Sequence, residues 1–497
     1  MPKNLQLSKS EYMMFLKHPA WLWLKKYRKS KLPEVDDNLQ STFNSGIEFE
    51  IYAQERFPKG IQLGFTDFDE YKTLTKRTKE ALDDGNKTIF QGRFEAGNIT
   101  CICDIIDVVD KKTFDLYEVK SSTKVKPEHY PDLAFQVVVI ESAGFNVRNI
   151  GVIHVNNDYV KVGEIDPLAI SKLADITAKV RVSIEETKKN IEKAFEVINS
   201  SKMPDPSPRH CELGSLGEWL EIYKNLDKKI DDYSIYDLMS PSAKKLGELE
   251  DLGVSLIKDI PDDFELTTKQ QVQVMVTKSG KRKMDKNSIK DFLGTLEYPI
   301  HFLDYESAMA TIPLYDGTKP YQQIPFQYSL YTIEKLGSEP KHTEYLHRDN
   351  EDPIPSLLKR LKEDVGLKGT VLVWYKPFET NRNKEMAEMF PEFKEFLEDV
   401  NERVVDLMEP FSKGWFADKD FFGSASIKYV LPVLVPSLSY KSLDIQEGAT
   451  AQRLWMESVL KGNSDIDQEE LFNNLVEYCK LDTLAMVEIW KVLETTK

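Results

Sequence analysis

The sequence predicts an α/β protein in which two sheet-containing domains are joined by a helical connector. The chain has 497 residues, more than one hydrophobic core ordinarily organises. Alternating apolar runs and amphipathic stretches follow one another twice, over residues 89–154 and again over residues 300–375. A proline-rich stretch at 203–208 interrupts the pattern between them. We therefore expect two cores that form separately.

The first domain, 1–203, begins with a helix whose start is marked by the capping box Ser8-Lys9-Ser10-Glu11. Beyond it we expect a helix at 41–55, strands at 89–94, 99–109 and 114–119, a helix at 132–143, a strand at 147–154 and an amphipathic helix from Asp166 to about Ser200. The polar turn at 110–112 makes a hairpin of the strands on either side of it.

Residues 204–292 are expected to form the helical connector, and residues 293–497 the second α/β domain. In that domain the sequence predicts strands at 300–305, 326–333 and 370–375, and helices at 385–402 and 468–493.

Composition and charge limit the classes of protein to consider. Hydrophobic residues make up 41% and charged residues 30%, and no stretch approaches the roughly 20 apolar residues of a membrane span. The four cysteines suggest no disulfide framework, so we expect a reducing, cytoplasmic setting and no membrane partner. A net charge of −16 argues against a generic nucleic-acid binder but not against a nuclease, whose metal-binding carboxylates are negative.

A local basic patch lies within this acidic chain. Basic residues between Lys25 and Lys31 follow Trp21 and Trp23, a mixture that can bind phosphates and stack on bases. The alternative is a solvated helix end whose tryptophans belong to the core.

Acidic residues and a lysine mark the predicted hairpin. Glu118 and Lys120 are two apart on one strand, so their side chains share a face, and Asp104 on the preceding strand can reach it. Such carboxylates hold Mg²⁺ or Mn²⁺, and a lysine positions the nucleophile or stabilises charge on the reacting phosphate. The pattern indicates metal-assisted phosphodiester hydrolysis, and the alternative is an ordinary edge-strand triplet.

This arrangement resembles the PD-(D/E)XK nuclease superfamily in its RecB-like branch. The residues that carry the match are Asp104, Glu118, Lys120 and the downstream Gln136. The resemblance implies a restriction-endonuclease-like mixed sheet. It also implies a metal ligand on an earlier helix, where Glu50 is the matching residue and Glu48 the substitute. Ile140 stands where the family has a tyrosine.

Many RecB-like nucleases of this kind carry an iron–sulfur cluster on four cysteines, and this chain departs from that pattern. His18 stands at the early position, and Cys211 is what remains in the later region. Cys101 and Cys103 alternate with Asp104 along a strand, so they face away from the predicted metal site. Because four thiolates are the usual requirement, we expect no iron–sulfur cluster.

A second acidic constellation lies in the C-terminal domain. Asp304 and Glu306 share a face of a predicted strand, and Tyr478 and Asp482, four apart, share a face of a predicted helix. The alternative is that the two motifs occur by chance, because both are short. Their order resembles the DnaQ-like exonucleases of the RNase H-like fold, in the variant whose third motif is Tyr-x-x-x-Asp. The resemblance implies four carboxylates that hold two divalent ions, a tyrosine that orients water, and trimming from the 3′ end.

The fourth carboxylate of that family follows a buried strand in a pattern like Asn-x-x-Phe-Asp. Here Glu379 takes the place of the acid and Tyr375 that of the asparagine. Asp406 is a secondary candidate for a ligand or a substrate contact. The segments 320–327 and 423–428 resemble a bacterial domain of unknown function that often follows a RecB-like nuclease in one chain.

These motifs together predict a nuclease with two active sites that depend on Mg²⁺ or Mn²⁺ and act on DNA or RNA, with single strands favoured. The expected catalytic residues are Lys120, Gln136 and Tyr478, and the expected metal ligands are Glu50, Asp104, Glu118, Asp304, Glu306, Glu379 and Asp482. Two alternatives stay open: a nucleic-acid-binding scaffold with one or both sites inactive, and a phosphohydrolase of small nucleotides. The sequence identifies no protein partner.

Overall fold

The computed structural model describes residues 5–226 and 233–496 and has the mixed α/β architecture that the sequence predicts. Contacts divide the chain into two compact units. Unit 1 comprises Met1–Ile230, Ser242–Glu248 and Ala310–Tyr321, and unit 2 comprises Asp231–Pro241, Leu249–Met309 and Gln322–Lys497. The predicted connector, 204–292, is shared between these units, and its residues 227–232 lie outside the described part of the chain.

Unit 1 is built on a seven-stranded mixed sheet. The helices and strands up to residue 226 are β1 (Leu7–Ser8), α1 (Lys9–Lys17), α2 (Pro19–Tyr27), α3 (Asp37–Gln54), β2 (Ile61–Gln62), α4 (Phe68–Asp83), β3 (Thr88–Ala96), β4 (Ile99–Val108), β5 (Thr113–Lys120), α5 (His129–Ser142), β6 (Asn146–Val155), α6 (Pro167–Ile170), β7 (Ser171–Asp175), α7 (Thr177–Asn199) and α8 (Leu216–Leu226). The strand order is β2-β3-β4-β5-β6-β7, and β1 pairs with β4. Strand β4 is antiparallel to both of its neighbours, β3 and β5, whereas β6 is parallel to β5.

Local sequence explains where two of these helices lie. The capping box is confirmed: Ser8 Oγ accepts from the backbone N–H of Glu11, and the Glu11 side chain accepts from the N–H of Ser8. Helix α5 is apolar on nearly every side, and Leu133 to Ile140 are all buried within the main core of this unit. The buried polar residue in that run, Gln136, needs a hydrogen-bonding partner inside the core.

The prediction of one long helix from Asp166 to about Ser200 is wrong in its first third. A short helix, α6, is followed by strand β7, which pairs antiparallel with β6, and the long helix α7 starts only at Thr177. The run Ser171–Asp175 carries no strong strand pattern of its own. Pairing with β6 therefore decides its conformation, a tertiary effect that periodicity does not detect.

Unit 2 contains a five-stranded mixed sheet. After α9 (Ala243–Asp251), which crosses the boundary between the units, its elements are α10 (Thr268–Ser279), β8 (Lys283–Met284), α11 (Lys286–Leu293), β9 (Ile300–Ala308), β10 (Ile324–Ile333), β11 (Lys341–Leu346), α12 (Pro353–Val365), β12 (Thr370–Val373), α13 (Lys376–Met389), α14 (Lys394–Arg403), β13 (Val404–Asp406), α15 (Glu409–Ser412), β14 (Phe416–Ala417), α16 (Ile427–Leu434), α17 (Gly448–Trp455) and α18 (Gln468–Thr496). The strand order is β11-β10-β9-β12-β13. Strand β9 is antiparallel to β10 and parallel to β12.

The central strand of this sheet is buried on both faces, and α18 covers one of them. Phe302 of β9 meets Trp490 of α18 edge to face, with ring centroids 5.9 Å apart. The prediction that the strand near residue 370 extends to Tyr375 is wrong, because β12 ends at Val373 and Tyr375 has a positive φ of 80°. No helix among the described residues is long and apolar enough to cross a membrane.

Candidate metal centres

The first centre forms where β4 and β5 pair. Glu118 and Lys120 share a face of β5, as alternation predicts, and Lys120 Nζ donates a hydrogen bond to Glu118 Oε1 at 2.7 Å. Asp104 comes from β4, and its Oδ2 accepts from the backbone N–H of Val119 at 2.8 Å. The fold thus brings together the two carboxylates and the lysine that the sequence singles out.

Helix α5 contributes an amide and another carboxylate to this centre. Gln136 Nε2 donates to Glu118 Oε2 at 2.7 Å and to Asp132 Oδ1 at 3.2 Å. Asp132 Oδ2 also accepts from Lys120 Nζ at 2.9 Å. Because Asp132 and Gln136 are four apart, they share a face of the helix. The sequence analysis assigned Asp132 no role, and the structure shows that it anchors both Lys120 and Gln136.

A second lysine, Lys9, enters the centre from the first turn of α1. Its Nζ is 2.8 Å from Glu118 Oε1 and 3.7 Å from Asp132 Oδ1. Sequence reasoning missed it, because the capping box around Lys9 explains only where a helix begins. Both oxygens of Glu118 consequently have partners: Oε1 accepts from two ammonium groups and Oε2 from Gln136.

Glu50 reaches the centre through Gln91. Gln91 lies opposite Asp104 in the β3–β4 register, and its φ of 56° is left-handed, a conformation that costs a non-glycine residue about 1–2 kcal/mol. Its Nε2 donates to Glu50 Oε1 and, at 3.3 Å, to Asp104 Oδ1. Glu48, the substitute candidate, is exposed, so the structure places Glu50 rather than Glu48 beside Asp104.

Charges within the first centre balance one another. Burial and the charge of Glu118 raise the pKa of Asp104 to about 7, against the opposing charge of Lys9. Burial also opposes ionisation of Glu118, but the charges of Lys120 and Lys9 outweigh it and hold that pKa well below its usual range. Although burial opposes it, the same carboxylates raise the pKa of Lys120, so its side chain stays an ammonium group. Lys120 can therefore stabilise charge or position a nucleophile, but it cannot accept a proton near neutral pH.

The second centre lies between β9 and α18. One ligand atom each from Asp304, Glu306 and Cys479 lie within 4.8 Å of one another. Cys479 Sγ is 3.7 Å from Asp304 Oδ2, and burial raises the pKa of its thiol, so it donates a hydrogen bond rather than binding as a thiolate. The sequence analysis assigned Cys479 no role, although its position three residues before Asp482 puts both on one face of α18.

Asp482 and Tyr478 lie at this centre as the sequence predicts, and a second tyrosine accompanies them. The Tyr440 hydroxyl donates a hydrogen bond to Asp482 Oδ1, and the rings of Tyr440 and Tyr478 have centroids 6.3 Å apart. Burial raises the pKa of Asp482 to about 6, opposed by hydrogen bonds from both tyrosines and by the charge of Lys428. Tyr440 lies in a short turn with no catalytic pattern around it, so only the fold reveals its contact.

Glu379 supplies the fourth carboxylate from the first turn of α13. It is 1% exposed, and its Oε2 has no hydrogen-bonding partner in the described part of the chain. Burial, followed by the charge of Asp304, raises its pKa well above the usual range. A buried acid oxygen without a partner is costly unless a proton or a cation satisfies it. The substitution of glutamate for aspartate thus leaves an oxygen available to a ligand.

Asp406 is a helix cap in this structure. Its carboxylate accepts hydrogen bonds from the backbone N–H groups of Tyr375 and Lys376, both at 3.0 Å, and of Met408 at 2.9 Å. Three backbone donors use the lone pairs that a metal or substrate would need. The fold therefore favours a structural role over the secondary ligand role considered from the sequence.

We expect Asp406→Ala to lower the free energy of unfolding by about 1–2 kcal/mol, because it removes the cap of α13. Urea denaturation measures this loss, and Glu402→Ala, which removes an exposed carboxylate of α14, serves as the control. The number of Mn²⁺ ions bound in calorimetric titration should not change. A lost equivalent of Mn²⁺ would show that Asp406 is a ligand instead.

The carboxylates of the second centre have no ion pairs, among the described residues, like those that Lys9 and Lys120 form with Glu118 in the first centre. Among the described residues, no basic side chain forms an ion pair with any of four acids, which are Asp304, Glu306, Glu379 and Asp482. Burial and mutual repulsion raise the pKa of Asp304 and Glu306 well above their usual range. Oxygen ligands of this kind suit Mg²⁺ and Mn²⁺, and a divalent cation would offset the repulsion. The residues present therefore fit the metal that the resemblance implies.

The raised pKa of Asp482 predicts how the stability of the metal-free protein depends on pH. A folded-state pKa of about 6 against an ordinary 3.8 means that the folded protein holds this proton more tightly than the unfolded chain. The contribution of the protonated Asp482 to the free energy of unfolding is therefore fully present below about pH 4 and is lost as the pH rises through about 6. In EDTA, we expect Asp482→Asn to gain stability relative to the wild type by roughly 2–3 kcal/mol between about pH 4 and 7. Denaturant unfolding at several pH values tests this, with the exposed Glu477→Gln as the control.

Two other predicted features belong to the packed core of unit 1. The ring of His18 stacks on Trp219 with centroids 3.9 Å apart, and burial lowers the pKa of His18 to about 4. Burial raises the pKa of Cys211 to about 12, so it stays a thiol. Trp23 is 6% exposed and donates to Ser200 O at 3.0 Å, so it cannot stack on a base. The structure favours the core alternative for the basic patch.

Comparisons with known proteins found one family model and several uncharacterized relatives. A family model described as a domain of unknown function, DUF2779, matches residues 301–426. The uncharacterized protein UU173 of Ureaplasma parvum is 24% identical over 295 residues, 54% of this chain and 41% of that protein. The uncharacterized protein MG366 of Mycoplasma genitalium is 25% identical over 221 residues, 41% of this chain and 33% of that protein. This chain thus spans less than half the length of the curated relatives that it matches.

Proposed function

We propose that this protein is a nuclease with two metal-dependent active sites, one in each unit, that hydrolyses phosphodiester bonds of DNA or RNA. The first site would be of the RecB-like PD-(D/E)XK type. The second would be a DnaQ-like 3′–5′ exonuclease of the RNase H-like fold. The mixed sheets support both assignments, because the first carries Asp104 and Glu118 on two paired strands and the second carries Asp304 and Glu306 on its central strand.

The observation that carries the proposal is the second centre. Carboxylate oxygens of Asp304 and Glu306 lie within 4.8 Å of one another. The charge of Asp482 acts on both of them, and the charge of Asp304 acts on Glu379. Among the described residues, no basic side chain forms an ion pair with any of these four carboxylates. Such an arrangement destabilises the metal-free fold, since like charges in a low-dielectric interior repel. Buried carboxylates kept at that cost are typical of functional sites.

The residues around these carboxylates have roles that follow from their contacts. When bound, Mg²⁺ or Mn²⁺ supplies Lewis acidity to the phosphate and lowers the pKa of water. Asp304, Glu306, Glu379 and Asp482 would hold these ions in the second site, and Glu50, Asp104 and Glu118 would hold them in the first. Tyr478 stays protonated because burial and the charge of Asp482 raise its pKa, so its hydroxyl can orient water by hydrogen bonding. Lys120, an ammonium group, can stabilise negative charge on the phosphate.

A specific observation favours a second candidate for the first site. Glu118 already accepts hydrogen bonds from Lys9, Lys120 and Gln136 at its two oxygens. A metal must displace at least one of the ammonium groups to bind there. If neither moves, this site binds nucleic acid without cleaving it. Calorimetric titration with Mn²⁺ distinguishes a first centre that binds metal from one that does not. If only the second centre binds metal, Glu118→Gln and the wild type bind the same number of Mn²⁺ ions.

The proposed function is tested with end-labelled single- and double-stranded DNA and RNA incubated with the protein in Mn²⁺. Lys120→Ala and Asp482→Ala are assayed beside the wild type. Products that shorten from one end, and that each variant loses selectively, support two active sites and identify the substrates. Binding of these substrates without any product supports the scaffold instead. Turnover of free nucleotides but not of oligomers supports a small-nucleotide phosphohydrolase.

A further inference from the structure

A polar cavity of about 460 Å³ adjoins the first centre within unit 1. Its lining consists of residues 120–123, Lys126, His129 and Tyr321. Every side chain in that set carries a hydrogen-bond donor, and none is a carboxylate. In a chain with a net charge of −16, a cavity lined by two lysines, four hydroxyl groups and an imidazole is selective for an anion.

His129 is the buried residue of this cavity that offers a hydrogen-bond donor to a ligand. It is 5% exposed and begins helix α5. Its Nδ1 accepts from the backbone N–H of Lys126 at 3.2 Å, so the ring proton of the neutral imidazole lies on Nε2. Burial, followed by the charge of Lys120, lowers the pKa of His129 and keeps the ring neutral. Nε2 has no hydrogen-bonding partner among the described residues, which leaves a donor on this buried side chain available to a bound group.

Other donors of the cavity are also available. Lys120 Nζ donates to Glu118 and Asp132, and an ammonium group has a third hydrogen. The hydroxyls of Ser121 and Thr123 form no hydrogen bond in the described part of the chain. Lys126 Nζ is 3.9 Å from Glu128 Oε1, and both side chains are about half exposed, so that ion pair is weak.

Tyr321 closes one wall of the cavity and belongs to the segment Ala310–Tyr321, which packs within unit 1. It has a positive φ of 60°, a strained conformation for tyrosine. Its hydroxyl donates to Ser121 O, and its N–H donates to Ala310 O at 2.8 Å. The segment is held further by Ile312, which lies in an apolar cluster with Phe49 of α3. These contacts fix the backbone that presents Ser121 to the cavity.

We propose that this cavity is a phosphate-binding subsite of the first centre, which takes a phosphate group of the nucleic acid strand next to the phosphodiester that is cleaved. The inference rests on the proposed nuclease function. Lys120 belongs to both the carboxylate cluster and the cavity wall, so a strand that enters the cavity also meets the first centre. The phosphate is either an internal diester or a terminal monoester, since both present anionic oxygens to the same donors.

The test measures binding and cleavage separately. Anisotropy with labelled single-stranded oligonucleotides in Ca²⁺, chosen to suppress turnover, gives Kd, and the same oligonucleotides in Mn²⁺ give kcat and KM. The variants are Lys126→Gln and His129→Asn, where asparagine can keep an acceptor for the Lys126 N–H but lacks the Nε2 donor. His129→Gln, which returns a donor near Nε2, tests rescue. Lys124→Gln, an exposed lysine outside the cavity, is the matched control.

We expect Lys126→Gln and His129→Asn each to raise Kd and KM about 3- to 10-fold, with kcat within about twofold of the wild type. Lys126→Gln should also reduce the slope of log K against log salt by about one, whereas the neutral His129 should leave it unchanged. His129→Gln should recover most of the loss, and Lys124→Gln should change Kd less than twofold. If the cavity variants lose affinity only for 5′-phosphorylated oligonucleotides, the bound phosphate is terminal. If they lose as much affinity for 5′-hydroxyl oligonucleotides, the bound phosphate is internal.

Several results would overturn the subsite. The subsite is excluded if both cavity variants bind oligonucleotides with the wild-type Kd. It is also excluded if Lys124→Gln weakens oligonucleotide binding as much as they do, or if the wild type binds no oligonucleotide. These failures are distinct from failure of the proposed function. If the wild type binds but no variant or metal gives cleavage, the nuclease assignment fails while the binding comparison still decides the subsite. If Lys120→Ala removes cleavage but the cavity variants match the wild type, only the subsite is wrong.

Discussion

Asp482→Ala is expected to reduce 3′ trimming by the second centre on the order of 10²–10³-fold, mainly in kcat. The carboxylate is 8% exposed and lies beside Asp304 and Glu306, so its removal takes a ligand from the proposed metal site. The hydroxyl of Tyr440 also loses its acceptor. Timed digestion of 3′-labelled and 5′-labelled single strands under saturating Mn²⁺ gives the rate and the polarity of the loss.

The same variant should leave the fold intact. Burial is the main cause of the raised pKa of Asp304 and Glu306, but removing Asp482 relieves the part due to its charge, so the metal-free protein should melt at the wild-type temperature or above it. Mn²⁺ should raise Tm less in Asp482→Ala than in the wild type. Glu477→Ala, which removes an exposed carboxylate from the same helix, should retain wild-type activity and metal response. Full 3′ trimming by Asp482→Ala would remove this residue from the active site.

Lys120→Ala is expected to reduce cleavage by the first centre on the order of 10²–10³-fold. The ammonium group is held by Glu118 Oε1 at 2.7 Å and Asp132 Oδ2 at 2.9 Å, and it is the ammonium group of this cluster that also lines the adjoining cavity. Lys9 remains paired with Glu118, so the buried carboxylate is not left without a cation. We therefore expect a modest loss of stability, about 1–3 kcal/mol, and a folded variant.

Cleavage by one site can hide the loss of cleavage by the other. The effect of Lys120→Ala on cleavage is therefore best measured in the Asp482→Ala background. The double variant should lack all cleavage, and the single variants should each retain one pattern of products. Lys112→Ala, an exposed lysine in the turn between β4 and β5, is the control for loss of a positive charge. Residual cleavage in the double variant at the Asp482→Ala rate would contradict a catalytic role for Lys120.

Local pattern predicted the strands and helices that carry most of the acids, but the predicted helix at 385–402 is wrong, because the structure has two helices, Lys376–Met389 with Glu379 in its first turn and Lys394–Arg403. Glu118 and Lys120 share a face because strand side chains alternate, and Tyr478 and Asp482 lie near one centre because a helix repeats every 3.6 residues. Local pattern failed where pairing with a distant strand decided the conformation, as in β7, or where a turn ended a strand early, as at Tyr375. The backbone N–H groups that donate to the Asp406 carboxylate were equally outside the reach of local pattern, because they come from a helix start about 30 residues away.

The sequence by itself determined the α/β class and most of the residues that the proposed sites use, because alternation, helical spacing and residue type are local properties. Tertiary structure alone decided what surrounds those residues. It brought Lys9 onto Glu118 across 109 positions of sequence and turned Gln91 toward Glu50. It balanced the first centre with two lysines and left the second without them. Charge balance depends on distance and burial, and these exist only once the chain has folded.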